Sequence, residues 1–242
     1  MPNFPKMDAV SHGVHPTILF RKEAMNFEHA RFNMVEQQVR PWGVTAPGVR
    51  QLLMTVRRED YVPPALRALA FADIEIPLPG GQTMLKPVIE GRILQAIGTS
   101  RVSTVLEVGT GSGYFAALLA ANADHVYTVE IDPELAQLAR DNLARNGVDN
   151  VTVEEGDASQ GWYTQAPYDV IVVSGGLPEL PESLLLQLKP EGRLFTFTGP
   201  PPAMKACVTS CTADKKSPLS HSLFETVVPM LRHVPQAPAF NF

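Results

Sequence analysis

The sequence predicts an α/β protein: a mostly parallel sheet flanked by helices, with a helical cap at its N-terminal side. Beyond Ser100, short β-branched runs alternate with helical patterns, as expected when helices cover both faces of a parallel sheet. The first of those runs ends in a glycine-rich turn, and the stretch before Ser100 lacks the alternation and is punctuated by prolines. The 242 residues suit one large domain on a prior of about 150 residues per domain. With 45% hydrophobic and 19% charged residues, the chain has the balance of a globular protein and can bury a sizeable core.

Residues 1–24 form a poorly patterned leader, expected to be flexible, and Met25 opens a different segment as a plausible alternative start. From Phe27 to Val39 the apolar residues recur at helical spacing, and Pro41 is expected to stop that helix. A second helical stretch runs from Val49 to Val56. Asp60 to Thr83, rich in Pro and Gly, is expected to be mostly loop. A helix from Pro87 to Ile97 completes residues 25–100, which are expected to cap the C-terminal edge of the sheet formed by residues 101–242. In that core the pattern predicts strands at Ser103–Val108, His125–Ile131, Val151–Glu154, Asp169–Ser174 and Leu194–Thr198, with a late one at Thr226–Leu231. Helices are expected at Tyr114–Ala121, Pro133–Asn146 and Pro181–Leu188; residues 25–242 then make a single domain.

Several function classes are disfavoured. A net charge of −5 provides no global basic field for nucleic acid or anionic membrane. No apolar run approaches the roughly 18 residues of a membrane span, and the leader has no apolar region of the secretory kind. The two cysteines, Cys207 and Cys211, are too few for a disulfide scaffold or a four-cysteine zinc site. The six histidines are scattered, so no metal is expected. The expected setting is soluble, reducing and cytoplasmic.

The strongest chemical signal is Val105-Leu106-Glu107-Val108-Gly109-Thr110-Gly111-Ser112-Gly113-Tyr114. A buried strand running through glycines into a helix lets backbone amides approach a ligand with no Cβ in the way. The dinucleotide fingerprint would need a glycine where Tyr114 stands, and no lysine-serine or lysine-threonine follows to make a phosphate loop. Gly-x-Gly-x-Gly on a strand carrying Glu107 is the first motif of class I S-adenosylmethionine-dependent methyltransferases, whose fold is Rossmann-like. Two more carboxylates fall in register, one per strand-helix unit. Glu130, followed by Ile131, ends a strand where a carboxylate can accept both ribose hydroxyls. Asp157, between Gly156 and Ala158, follows the next strand, where it can bond an adenine amino group. Each alone reads equally well as a capping or turn residue; together they follow the crevice rule for open α/β sheets. The candidate cofactor-binding residues are therefore Glu107, Gly109, Thr110, Gly111, Ser112, Gly113, Tyr114, Glu130, Ile131, Gly156, Asp157 and Ala158, and the cofactor is S-adenosyl-L-methionine, with a nicotinamide cofactor as the rival on the same fold.

Further segments carry a narrower resemblance. Gly156-Asp157-Ala158-Ser159-Gln160-Gly161-Trp162, Tyr168-Asp169-Val170-Ile171-Val172-Val173 and Gln187-Leu188-Lys189-Pro190-Glu191-Gly192-Arg193-Leu194 resemble protein-L-isoaspartate O-methyltransferases. So do Met34-Val35-Glu36-Gln37-Gln38, Arg58-Glu59-Asp60-Tyr61-Val62-Pro63 and Gly81-Gln82-Thr83 nearer the N-terminus. The resemblance covers about Phe27 to Pro200 in the family's order. It implies methyl esterification of the free carboxylate of L-isoaspartyl residues in damaged proteins, the ester collapsing through a succinimide toward normal aspartate.

One departure bears on the acceptor. After Gly-Gln-Thr the family usually reads isoleucine-serine-glutamine-proline, with the serine regarded as the active-site residue. This chain reads Met84-Leu85-Lys86-Pro87, and later Ser174-Gly175-Gly176-Leu177-Pro178 where the family has an alanine-rich stretch. Thr83, Leu85 and Lys86 are thus the candidate catalytic positions, Lys86 offering a cation to a carboxylate. Three readings follow: isoaspartyl repair; the same chemistry on another acceptor, a small molecule among the candidates; and a non-catalytic cofactor-binding protein. Trp42 and Trp162 are expected to be packing residues, Trp162 also a possible border of the cofactor pocket, and His125 a surface or capping group.

Overall fold

The computed structural model describes residues 25–101, 103–210 and 218–234. The leader and Cys211, on which the sequence raised expectations, lie outside them.

Helix α1 (Phe27–Asn33) is capped by Asn26, whose side chain accepts from the His29 amide. The chain does not stop at Pro41. It widens into π-type turns over Met34–Val39, tightens at Arg40–Trp42 and ends at Gly43, with φ 88°. Pro41 has no N–H to donate, and the Arg40 amide reaches back five residues to the Val35 carbonyl. Trp42, expected to pack, is 61% exposed on that tight turn. Helix α2 spans Pro47–Thr55. The proline- and glycine-rich stretch contains, besides turns, a small antiparallel hairpin of β1 (Ile76–Pro77) and β2 (Thr83–Met84). Helix α3 (Pro87–Ile97) follows, with Pro87 in its first turn.

The main sheet has seven strands: β3 (Thr104–Val108), β4 (His125–Glu130), β5 (Val151–Glu155), β6 (Tyr168–Leu177), β7 (Leu188–Thr198), β8 (Met204–Ser210) and β9 (Leu219–Thr226), in the order β5-β4-β3-β6-β7-β8-β9. Strands β5 to β7 along that order pair in parallel, and β8 and β9 add an antiparallel edge. Helices α4 (Tyr114–Ala120), α5 (Pro133–Arg145) and α6 (Glu182–Leu186) connect the parallel strands. Chain order reverses between β3 and β6, which makes their C-terminal ends the switch point where ligands of such sheets bind.

Two expectations need correction here. The helix expected to Leu188 ends earlier, because Pro190 favours extended backbone at Lys189, and Leu188 already pairs with Tyr168 in β7. The late strand lies at Leu219–Thr226 rather than Thr226–Leu231. Strand β9 is a largely exposed edge, so it lacks the apolar run that marks buried strands. The apolar residues after it form a strap across the ends of the sheet, joined to it by a bridge between Met230 and Gly176.

One continuous apolar cluster ties the N-terminal elements to the sheet, from Met34, Val35, Leu53 and Ile93 to Leu118, Val126 and Phe195. A second, smaller one lies around Leu106, Ile171 and Leu194. Between them the loop after β5 is fixed by Gln187, which accepts from the Trp162 amide (2.6 Å) and donates to the Ser183 carbonyl (2.9 Å). Gly161 sits at φ 95°, and a Cβ there would lie 1.9 Å from Gln187 Nε2. Gly161→Ala should therefore cost about 1–3 kcal/mol of stability. The expected result is a lower urea midpoint with an unchanged slope.

Candidate active site

Strand β3 delivers Glu107 and then a turn with three left-handed glycines, Gly109 (φ 94°), Gly111 (φ 55°) and Gly113 (φ 82°). Gly113 opens α4 against α5, where a Cβ would come within 3.3 Å of the Ala139 backbone. The turn is held from the neighbouring strand: the Gly109 amide donates to the Val129 carbonyl (2.9 Å), and the Gly111 amide to Glu130 Oε2 (2.9 Å). Thr110 Oγ1 and Thr128 Oγ1 lie 2.6 Å apart, and Thr128 Oγ1 donates to Glu107 Oε2 at 2.6 Å. One hydroxyl carries one proton, so the relay runs Thr110 to Thr128 to Glu107. Ser174 donates to the other Glu107 oxygen at 3.3 Å.

Glu107 is fully buried, and no basic side chain among the described residues pairs with it. Burial pushes its carboxyl up to about 8, although the Thr128 and Ser174 hydrogen bonds act the other way. A buried carboxylate without a cation is a site waiting for positive charge.

At the C-terminal ends of β3, β4, β5 and β6 lies a cleft of about 710 Å³, the space at its mouth included, within the size range of cofactor pockets. Gly109, Gly111, Glu130, Ile131, Gly156, Asp157 and Ala158 all line it. Glu130 accepts from the Gly111 amide with one oxygen and from the Asp132 amide (3.1 Å) with the other. A carboxylate has about four acceptor positions, so two remain for hydroxyls in the cleft. Asp157 accepts from the Ser159 amide (2.9 Å) and faces His233 Nδ1 at 3.3 Å. Burial acts to raise the Asp157 carboxyl, but the Ser159 and His233 contacts prevail and hold it below the usual range. Trp162 does not border the cleft. Its ring lies against Gly156, where a Cβ would be 2.7 Å away, and its Nε1 donates to Glu154.

Adjoining the cleft is a second, inner cavity of about 340 Å³, open solvent at its mouth included, sharing Thr83, Leu85, Gly109, Gly111 and Ser174 with it and reaching Glu90, Glu107, Thr110, Ser112 and Tyr114. Thr83 Oγ1 and the Tyr114 hydroxyl are buried with no partner among the described residues. Burial pushes Glu90 up to about 7 despite its ion pair with Arg58. Arg58, itself fully buried, also donates to the Leu85 carbonyl (2.6 Å) and lies 4.9 Å from the centre of the Tyr114 ring. That anchors the segment leading into α3 and turns Leu85 toward both cavities.

Two candidates fall outside. Lys86 lines neither cavity: it is half-exposed as the N-cap of α3, whereas Thr83, Met84 and Leu85 before it line the inner one. Gly113 serves the packing of α4 on α5 rather than the lining. His125, at the start of β4, hydrogen-bonds Thr152 on the neighbouring strand (2.9 Å). The sequence alone assigned no role to Gln82, Ser159 or the strap residues Pro229 to Arg232, which also line the cleft. Gly175, in the stretch that departs from the family on the acceptor side, lies near the end of β6 and lines the cleft as well; the strap has no local signal.

The Glu107, Glu130 and Asp157 carboxylates as acceptors, with the unpartnered Thr83 hydroxyl as a donor beside the glycine turn, fit a nucleoside carrying a cationic tail. Comparisons with known proteins agree. The family model described as protein-L-isoaspartate(D-aspartate) O-methyltransferase (PCMT) matches residues 30–217. A Myxococcus xanthus protein-L-isoaspartate O-methyltransferase is 44% identical over 158 residues, 65% of this chain and 74% of that relative. A solved protein-L-isoaspartate O-methyltransferase aligns with TM-score 0.72 and 24% identity, over 83% of this chain and 65% of that one. A Plasmodium falciparum protein assigned to the same family, solved in complex with S-adenosyl-L-homocysteine, aligns with TM-score 0.70 and 19% identity over 86% of this chain and 99% of that one. The last two show the shared Rossmann-like fold, and the sequence matches show the descent: the chain belongs to the protein-L-isoaspartate O-methyltransferase family, whose members are S-adenosylmethionine-dependent methyltransferases.

Proposed function

We propose that this protein transfers the methyl group of S-adenosyl-L-methionine to the free carboxylate of L-isoaspartyl residues in proteins or peptides. The observation that carries the cofactor half is the placing of Glu107, Glu130 and Asp157 towards the C-terminal ends of three adjacent strands, Glu130 and Asp157 in the cleft and Glu107 in the cavity that adjoins it. In this reading Glu130 takes the ribose hydroxyls, Asp157 the adenine amino group, and Glu107 balances the positive charge of the methionine end. Residues 25–100 act as the cap that brings Thr83 and Leu85 to that end, and the setting is the cytoplasm, a reducing compartment in which Cys207 stays a thiol.

When bound, the cofactor supplies a methyl group activated by its sulfonium. The acceptor carboxylate is ionised at neutral pH and is itself the nucleophile, so no general base is needed. What the chain contributes is placement and exclusion of water. Thr83 Oγ1, buried and unpartnered where the two cavities meet, is available to donate to the acceptor carboxylate, and Ser174 lines the same junction. The test is transfer of a labelled methyl group to an isoaspartyl peptide with its aspartyl twin as control. Transfer to the first and not the second is expected; tight cofactor binding without transfer to either would shift the reading to another acceptor, for which Leu85 in the family's serine position is the supporting observation.

The Glu107 carboxyl yields a second expectation. Raised from 4.5 to about 8 in the folded chain, it is mostly protonated at pH 7. A cation brought beside it favours the ionised form, so binding of S-adenosylmethionine should release a proton. Affinity should rise on the order of tenfold or more from pH 6 to 8 and level off above about pH 9. Calorimetry at pH 7 in two buffers of different ionisation heat measures the released proton directly. Identical heats in both would mean that Glu107 does not face the charged end.

A further inference from the structure

The family match ends at residue 217, yet the cleft's outer wall is built from Pro229 to Arg232. The geometry points to Arg232 as a positioning residue that clamps the acceptor-side hairpin to the ribose-side loop across the mouth of the cleft. This rests on the cleft being the cofactor site. Arg232 donates to Asp132 Oδ2 at 3.1 Å and to the Gly80 carbonyl at 3.2 Å. Asp132 caps α5 by accepting from the Glu134 amide, and its own amide donates to Glu130 Oε1. Holding Asp132 therefore holds the carboxylate aimed at the ribose. Gly80 lies in the turn between β1 and β2, and β2 carries Thr83 and leads into Leu85. Holding the Gly80 carbonyl therefore holds the hairpin that supplies the acceptor side.

The strap is itself anchored, so the clamp has a fixed base. The Gly176 amide donates to the Pro229 carbonyl (2.8 Å), and the Leu231 amide to the Gly176 carbonyl (2.9 Å). A Cβ on Gly175 would lie 2.7 Å from Leu231 Cδ2 and 3.3 Å from the Pro229 carbonyl, while one on Gly176 would meet Met204 Cε of β8 at 2.2 Å before Met230 Sδ at 2.8 Å. Gly175 is thus the glycine that lets the strap settle on the end of β6, and Gly176 accommodates β8 as well as the strap. Gly80 is fitted to the clamp as well: it has φ 65°, and a Cβ there would sit 2.9 Å from Asp132 Oδ2 and 3.0 Å from an Arg232 nitrogen.

The experiment is calorimetry with S-adenosyl-L-homocysteine on the full chain and on Arg232→Ala, Arg232→Lys, Gly80→Ala and the double variant Arg232→Ala/Gly80→Ala, with initial rates on S-adenosylmethionine where the wild type turns over. Arg232→Ala should weaken binding about tenfold and raise KM for the cofactor more than it lowers kcat. Arg232→Lys, which can restore one of the two contacts, should recover part of the loss. Gly80→Ala should reproduce the defect with Arg232 intact, and the double variant should be no worse than either single, as expected for two lesions in one clamp. Affinity within twofold of wild type in Arg232→Ala, or losses that multiply in the double variant, would overturn the clamp. A wild type that fails to bind S-adenosyl-L-homocysteine would instead sink the cofactor reading itself.

Discussion

Replacing Glu130 with alanine should weaken cofactor binding on the order of a hundredfold or more. The carboxylate already accepts one backbone amide on each oxygen, from Gly111 and Asp132, and is 6% exposed. Those two bonds fix its rotamer before any ligand arrives, so little entropy is left to lose when ribose hydroxyls bind. A hydrogen bond to a charged group is worth about 1.5–3 kcal/mol, and two together about 3 kcal/mol or more, which converts to that ratio in Kd. The alanine variant also strands the Gly111 amide, loosening the glycine turn, and that adds to the loss. Glu130→Gln separates the contributions: its amide oxygen can still accept one backbone amide, but the charge is gone. Calorimetry should rank wild type, glutamine and alanine in that order. Equal affinity in all three would remove Glu130 from the ribose.

The legible parts of this protein are those whose chemistry is local in sequence. Glu107 and its glycines are a strand, a turn and a helix start within ten consecutive residues, so both the left-handed backbone and the buried acid could be read directly. Glu130 and Asp157 were readable because each ends its own strand, and a parallel sheet brings successive strand ends to one edge. Lys86 shows the limit: the sequence places it next to Leu85, but the start of α3 at Pro87 and the Arg58 contact to the Leu85 carbonyl decide which of the two faces the cavities. The strap shows a different limit. Val227, Val228, Met230 and Leu231 have the composition of a strand, and only the room above Gly175, fifty residues or so upstream, makes Met230 and Leu231 a wall of the cleft instead. Trp42 was expected inside on size alone, and a tight turn left it outside.

Of the buried charges behind the acceptor segment, Arg58 and Glu59 lie in a segment that carries the resemblance, and Arg31 and Glu90 do not. Arg31 pairs with Glu59, and Arg58 with Glu90, all nearly inaccessible to solvent. Pairs of this kind rarely add net stability over an apolar substitute. What Arg58 does add is direction, since its Nη2 donates to the Leu85 carbonyl and its guanidinium lies near the Tyr114 ring. The segment from Thr83 to Pro87 is thereby fixed from behind by Arg58 and at its hairpin tip by Arg232. A side chain placed at residue 85 is consequently delivered to one position.

That fixed position makes the last prediction sharp. Leu85→Ser should raise the rate of methyl transfer to an isoaspartyl peptide by on the order of ten- to a hundredfold. Leu85 is 8% exposed and lines both the cleft and the inner cavity beside Thr83 and Ser174. A serine hydroxyl there would add a donor at the acceptor carboxylate, worth about 1.5–3 kcal/mol if felt in the transition state. The substitution also removes a buried leucine side chain, whose loss costs folding stability of about 2–5 kcal/mol in a closed core. At the rim of two cavities water can enter, so a cost near the lower end is expected, visible as a lower melting temperature. Gain in rate with loss in stability is the combined signature, and Leu85→Ala, which makes the same room without the hydroxyl, is the control. If alanine and serine accelerate equally, the leucine was only obstructing the acceptor. If neither changes an active wild type, residue 85 is not at the chemistry, and Thr83 and Ser174 alone hold the carboxylate. If serine creates isoaspartyl transfer in a wild type that has none, the leucine is what directs this cleft to a different acceptor.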